Sequence, residues 1–109
     1  MTARPRKTYA QKVADIEADY SLESLNRREA RLMKTIEKRA AAAAAATCEA
    51  VRLTSAWRGT TADYTAASTF RARAYFALRD VLNAQLLLGD VHAQRVRIMA
   101  LAAADEVAR

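Results

Sequence analysis

Gly59 stands near the midpoint of a chain that almost lacks residues unfavourable to helix: its 109 residues include two glycines and one proline. Glycine costs helix stability through backbone freedom, and proline through a lost hydrogen bond and a clash. Where both are absent the chain is free to stay helical. The stretch Trp57-Arg58-Gly59-Thr60 holds the only tryptophan and separates two arms of similar length. Gly59 suits the left-handed residue that ends a helix, and Thr60 with Asp63 three residues on forms a capping-box pattern that starts another. The expected fold is all-α. It is an elongated antiparallel helical hairpin with arms over residues 8–57 and 60–108 and the turn at 58–59, preceded by a flexible basic tail over residues 1–7. Residues 8–109 form one domain. The hydrophobic fraction of 52% argues against disorder, and the scarcity of turn residues argues against a sheet fold.

Each arm carries signs of interruption, giving three to four helices. Pro5 biases Arg4 away from helix, while Thr8 and Gln11 form a capping box, so the first helix begins there. Tyr9, Val13, Ile16 and Tyr20 recur at helical spacing as one apolar stripe. Ser21 and Ser24 are alternative N-caps for a second helix running to about Trp57. On it, Leu22, Leu25, Leu32, Met33, Ile36, Ala40 and Ala43 share one arc. Seven consecutive alanines, Ala40 to Ala46, leave that helix open to close approach by a neighbour. Past the turn, Tyr64, Phe70, Ala74, Tyr75, Leu78, Val81, Leu82 and Leu88 mark a third helix. Gly89-Asp90 offers a stop and a new cap before a fourth segment bearing Val96, Met99, Ala103 and Val107.

Folding the arms back on Gly59 sets Phe70, Tyr75 and Phe76 against the alanine tract and brings the last segment beside the Tyr9 to Tyr20 stripe. Arms of this length exceed ~50 Å at 1.5 Å per residue, too extended for one compact core, so oligomerisation is expected to complete a bundle. Glu29 and Arg71 occupy positions where the pattern wants apolar residues. They lie too far apart in this register to pair with each other, and either reach solvent at the core edge or mark an intermolecular contact.

The chemistry-bearing residues are sparse. His92 is the only histidine and lacks partners at metal-ligand or acid-base spacing. Cys48 is also alone, which excludes an intrachain disulfide, and it reads as a small buried apolar residue beside the alanines. Asp15, Glu17 and Asp19 read as a solvated face. The glycines are too far apart for a phosphate loop. No catalytic residue, metal site, cofactor or small-molecule substrate is expected, and the protein reads as a non-enzyme. The N-terminal residues lack the apolar run of a secretory signal, and the alanine tract is too short to span a bilayer, so no membrane association is expected.

The charge pattern is more informative. A formal net charge of +6 favours anionic partners. Arg27, Arg31, Lys34 and Lys38 form a stripe opposite the apolar arc of the second helix, flanked by Arg28 and Arg39, and can meet successive phosphates. Glu23 and Glu37 are placed to pair with neighbouring cations. Arg71-Ala72-Arg73 and Arg95-Val96-Arg97 look like paired basic motifs, yet residues two apart on a helix face away from each other. Without a helix-turn-helix, zinc-finger or aromatic RNA-binding pattern, any nucleic-acid contact is expected to be with the backbone rather than with sequence.

The midpoint motif Ala56-Trp57-Arg58-Gly59 resembles the turn of the Trp-X-Gly family of small helical-hairpin proteins exported by type VII secretion. The resemblance covers Leu53 to Tyr64, with Trp57 and Gly59 on the turn motif and Tyr64 near the aromatic residue that often follows it. It implies hairpins paired into four-helix bundles, and export without a cleavable signal. The residues themselves lead first to a cytoplasmic helical assembly protein, such as an accessory subunit of a phage, plasmid or nucleoprotein machine. It acts as a homo- or hetero-oligomer with a basic face toward nucleic acid or an anionic protein. The alternative is a secreted carrier or effector of the Trp-X-Gly type.

Overall fold

The computed structural model describes residues 5–109, and these form three helices: α1 (Tyr9–Glu17), α2 (Leu22–Ser55) and α3 (Thr61–Ala108). No strand occurs among the described residues, and the expected all-helical class is what is found. Of the expected basic tail, residues 1–4 lie outside the described residues. Pro5, Arg6 and Lys7 are exposed and non-helical, with Lys7 reaching Asp15 at 2.5 Å.

The helix boundaries follow the capping chemistry closely. Thr8 Oγ1 accepts from the Gln11 backbone at 3.2 Å while Gln11 Oε1 accepts from Thr8 N at 2.7 Å, so two otherwise orphan amides are satisfied reciprocally. α2 starts where Ser21 Oγ takes the Ser24 amide at 3.2 Å. At the turn, Gly59 has φ of 84°, and Thr60 Oγ1 accepts from Asp63 N at 3.1 Å. The Asp63 carboxylate does not return to the cap amide but takes Arg58 N at 3.0 Å, tying the turn to the first turn of α3.

Gly89 does not stop a helix: α3 runs through it to Ala108. A mid-helix glycine costs only about 1 kcal/mol. Here Leu87 and Val91 on either side are buried, and that packing outweighs the local preference.

The chain divides into two compact units: residues up to Leu32 together with Gln85–Arg109, and Met33–Ala84. In the first, Ile16, Leu25, Leu87 and Val91 form a buried cluster, joined by Val13, Leu32 and Ile98. The stripes expected to face each other here contribute less than their spacing implies. Tyr9, Tyr20, Val96, Met99 and Val107 are all exposed, because only one edge of each helix meets a neighbour.

Gln94 is 1% exposed, and its Nε2 donates to the Asp19 carbonyl at 2.8 Å, satisfying a backbone group left open where α1 ends. Asp19 itself is not part of a solvated face. Its carboxylate accepts from Ser24 Oγ at 2.5 Å, Arg28 Nε at 2.8 Å and Ser21 N at 3.0 Å. The Ser24 hydroxyl first, then the Arg28 guanidinium, hold the carboxyl down at about 2.

The Met33–Ala84 unit is built differently. Its buried residues are all alanines: Ala43, Ala46 and Ala50 on α2, and Ala67, Ala74, Ala77 and Ala84 on α3. Arg39 meets Asp80 at 2.9 Å and Trp57 meets Tyr64 at a ring separation of 5.8 Å, so contacts in this unit pair positions progressively further from Gly59. Glu49 aside, the buried and half-buried α2 positions from Leu32 to Leu53 alternate steps of four and three, which is the 3.5-residue period of a coiled-coil seam rather than the 3.6 of a straight helix. That drift explains why Met33 and Ala40 of the expected arc are exposed while Arg39 lies half-buried. Thr47, Thr54, Thr65 and Thr69 each turn the hydroxyl back onto the carbonyl four residues earlier, at 2.7 to 2.9 Å.

Two stability measurements follow from this architecture. A Cβ at Gly89 meets nothing within 4 Å, so Gly89→Ala should raise unfolding free energy by about 0.5–1 kcal/mol in urea titration. Gly59→Ala should instead lower it by about 1 kcal/mol, because φ there is left-handed. For Asp19, a folded value of about 2 against the ordinary 3.8 means that the stabilisation is complete above 3.8 and is lost as pH falls through 2. After allowance for solvent screening it amounts to about 1–2 kcal/mol. Urea midpoints measured between pH 5 and pH 2 should therefore fall less in Asp19→Asn than in the parent protein.

Candidate functional site

Six cations of α2 were singled out by their spacing, and the structure separates them into two groups. Arg27 is paired with Glu23 at 3.1 Å, Arg28 with Asp19 at 2.8 Å, and Arg39 with Asp80 at 2.9 Å. Arg31, Lys34 and Lys38 are exposed and have no ion pair among the described residues. Steps of three and four place these three on one face of the helix. Charges already matched by a carboxylate gain less from a new anion, so the unpaired three are the available part of the stripe.

Two shallow grooves lie beside these cations, one in each unit. The first, about 200 Å³, is lined by Lys12, Asp15, Ile16, Arg28, Arg31 and Leu87 among others. Two of its charges are matched, Asp15 by Lys7 and Arg28 by Asp19, while Lys12 and Arg31 have no ion pair among the described residues. The second, about 500 Å³, lies in the Met33–Ala84 unit and is lined by Arg39, Ala42, Ala46, Phe70, Arg73 and Phe76 among others. Phe70 is half-buried and Phe76 is 49% exposed, both beside the alanine tract as the sequence implied. Tyr75, expected with them, is 63% exposed and packs edge-on against Phe76 with ring centroids 5.4 Å apart.

The aromatic partners of Arg73 and Arg79 are not part of the sequence expectation. The Arg73 guanidinium lies 4.9 Å from the centre of the Phe70 ring and that of Arg79 lies 5.0 Å from the Phe76 ring. Both are aromatic-to-arginine pairs three residues apart, a spacing that brings side chains together on a helix. The signal is present in Phe70-Arg71-Ala72-Arg73 and Phe76-Ala77-Leu78-Arg79 as aromatic-to-cation spacing, which cation-to-cation spacing alone does not reveal.

Glu29 is engaged within the chain by Arg95, which also donates to Asn26 at 3.0 Å and contacts His92 Nδ1 at 3.1 Å. Arg71 is exposed on the rim of a third groove of about 360 Å³ with Thr47, Ala50, Val51 and Ala74. Trp57 is 45% exposed, its ring tilted 46° to that of Tyr64, while Gly59 and Thr60 perform the turn. Cys48 is exposed rather than buried, because the seam passes through Ala46 and Ala50 and turns the intervening residue outward. Among the described residues no group of three or more His, Cys, Asp or Glu could hold a metal ion, and no helix is long and apolar enough to cross a membrane.

Comparison with family models, curated proteins and solved structures gives no match to this chain.

The division of the cations into matched and unmatched has a measurable consequence. Lys34→Ala and Lys38→Ala should each change unfolding free energy by less than about 0.5 kcal/mol. Arg95→Ala should cost about 1–2 kcal/mol in the same urea titration, because it leaves Glu29 and Asn26 without their partner.

Proposed function

We propose that the protein is a non-catalytic helical assembly protein whose basic α2 face holds the backbone of a nucleic acid or another anionic partner. The observation that carries this reading is the unpaired trio Arg31, Lys34 and Lys38 on one exposed helical face. Cations at this spacing bring their charges to successive phosphates and release condensed counterions when they bind. The Met33–Ala84 unit, which contains Lys34 and Lys38, holds eight Lys and Arg against four Asp and Glu. Accessory work in a phage, plasmid or nucleoprotein machine in the cytoplasm fits such a surface.

The same reading takes the two arms as an antiparallel hairpin that completes a bundle with further copies or a partner. Support comes from the alanine interior of the Met33–Ala84 unit: Tyr64, Tyr75, Leu78 and Leu82 are each more than half exposed, so the bulky apolar side chains lie outside. Surfaces of this kind on small proteins mark association sites. A second reading, a secreted hairpin of the Trp-X-Gly type, draws on one observation. Trp57 and Gly59 sit at the chain turn, with the indole packed on Tyr64.

Fluorescence anisotropy with a labelled DNA duplex tests the first reading. Affinity should fall steeply between 50 and 200 mM salt, with a log-log slope of about −0.9 per phosphate contact. Lys34→Glu with Lys38→Glu should weaken binding at least tenfold and flatten that slope. Absence of binding at low salt refutes the nucleic-acid reading. Light scattering tests assembly, and a monomer at micromolar concentration would contradict it.

A further inference from the structure

The groove of the Met33–Ala84 unit combines features that a simple phosphate-binding face does not need. Its floor is alanine: Ala42, Ala45, Ala46 and Ala77 present only methyl groups, which is why about 500 Å³ stays open between α2 and α3. That volume falls within the range of sites for small organic groups. Its walls carry two phenyl rings and two guanidinium groups, those of Phe70, Phe76, Arg39 and Arg73. Arg73 stacks on Phe70, and Arg79 stacks on Phe76 nearby. Neither Arg73 nor Arg79 has a carboxylate partner among the described residues. Arg39 is held by Asp80, yet its Nε is buried without a hydrogen-bond partner.

Flat apolar surfaces beside unpaired guanidinium groups match one ligand chemistry well: a planar base joined to a phosphate. Bases stack on aromatic rings and on guanidinium planes, while the guanidinium edges donate to phosphate oxygens. A duplex keeps its bases stacked inside and cannot use such a groove. We infer that this groove is a binding site for single-stranded nucleic acid, in which an unstacked base lies against Phe70, Phe76 and the alanine floor and the adjoining phosphate meets Arg39 and Arg73. The inference rests on the nucleic-acid reading of the basic face and adds to it a choice between strand forms. Lys34 and Lys38 then hold the phosphates of the same strand without regard to base. The alanine tract acquires a role distinct from close helix packing, since Ala42 and Ala45 are exposed and contribute to the opening rather than to the buried seam.

Anisotropy with a labelled oligothymidine and with a duplex of equal length, at one low salt concentration, tests the site. The parent protein should bind the single strand about tenfold more tightly than the duplex. Ala45→Leu fills the groove without altering charge and with little change in helix propensity, and Phe76→Ala removes one stacking surface. Each should lower single-strand affinity about tenfold, the scale of one base stacked on an aromatic ring, and leave duplex affinity within twofold. Circular dichroism monitors folding of both variants, and Arg73→Gln supplies a third, with the same selective loss expected. Equal affinity for the two forms, unaffected by Ala45→Leu and Phe76→Ala, overturns the inference while leaving backbone binding intact. Failure of both DNAs to bind overturns both readings together. Displacement of the oligothymidine by an acidic helical peptide at lower concentration than unlabelled oligothymidine also overturns it, and assigns the groove to a protein partner.

Discussion

Two helices that meet through alanine side chains come close together but gain little by it, because a methyl group removes little apolar area from water. The Met33–Ala84 unit depends on this contact. Its seven buried residues are alanines, and every larger apolar side chain in the unit is left partly or wholly outside. Backbone proximity and absence of bulk therefore go together with an apolar exterior. The open groove beside Phe70 and Phe76, the exposed Tyr75 and Leu78, and the half-buried Arg39 all follow from a seam too thin to accommodate them.

The other unit is held by ordinary hydrophobic packing. Leu25 and Val91 are fully buried, and Ile16 and Leu87 complete a cluster around them. Polar groups here are stitched rather than avoided. Gln94 closes the open end of α1 through the Asp19 carbonyl, and the Asp19 side chain gathers Ser21, Ser24 and Arg28 at the start of α2. The break between α1 and α2 is thus a defined corner, maintained by hydrogen bonds to an ionised carboxylate. Such bonds are stronger than those between neutral groups.

Local signals were the most legible part of the sequence. Thr8 with Gln11, Ser21 with Ser24, and Gly59 with Thr60 mark helix boundaries because their chemistry acts within a few residues and needs no knowledge of the fold. Gly89 misleads for the converse reason: its intrinsic cost is small, and burial at Leu87 and Val91, visible only in three dimensions, decides against it. Periodicity located the apolar sides of the helices but not their centre lines. A difference between 3.5 and 3.6 residues per turn accumulates along α2, exposing Met33 and Cys48 and drawing Arg39 inward. The basic stripe was legible as spacing. Which cations remained unmatched was not, since Asp19 and Asp80 approach Arg28 and Arg39 from nine residues away and from another helix.

The threonines of the Met33–Ala84 unit alter what its exterior offers to a neighbour. With their hydroxyls turned onto the helix backbone, Thr47 and Thr54 have satisfied their hydrogen-bond donors before anything approaches, and both line the groove that contains Val51 and Ala74. A hydropathy scale that counts them as polar underestimates how oily this strip is. Covering it requires the stripping of few water-bound polar groups, so association there would carry the negative heat-capacity change of hydrocarbon burial despite a composition that reads as half hydrophilic.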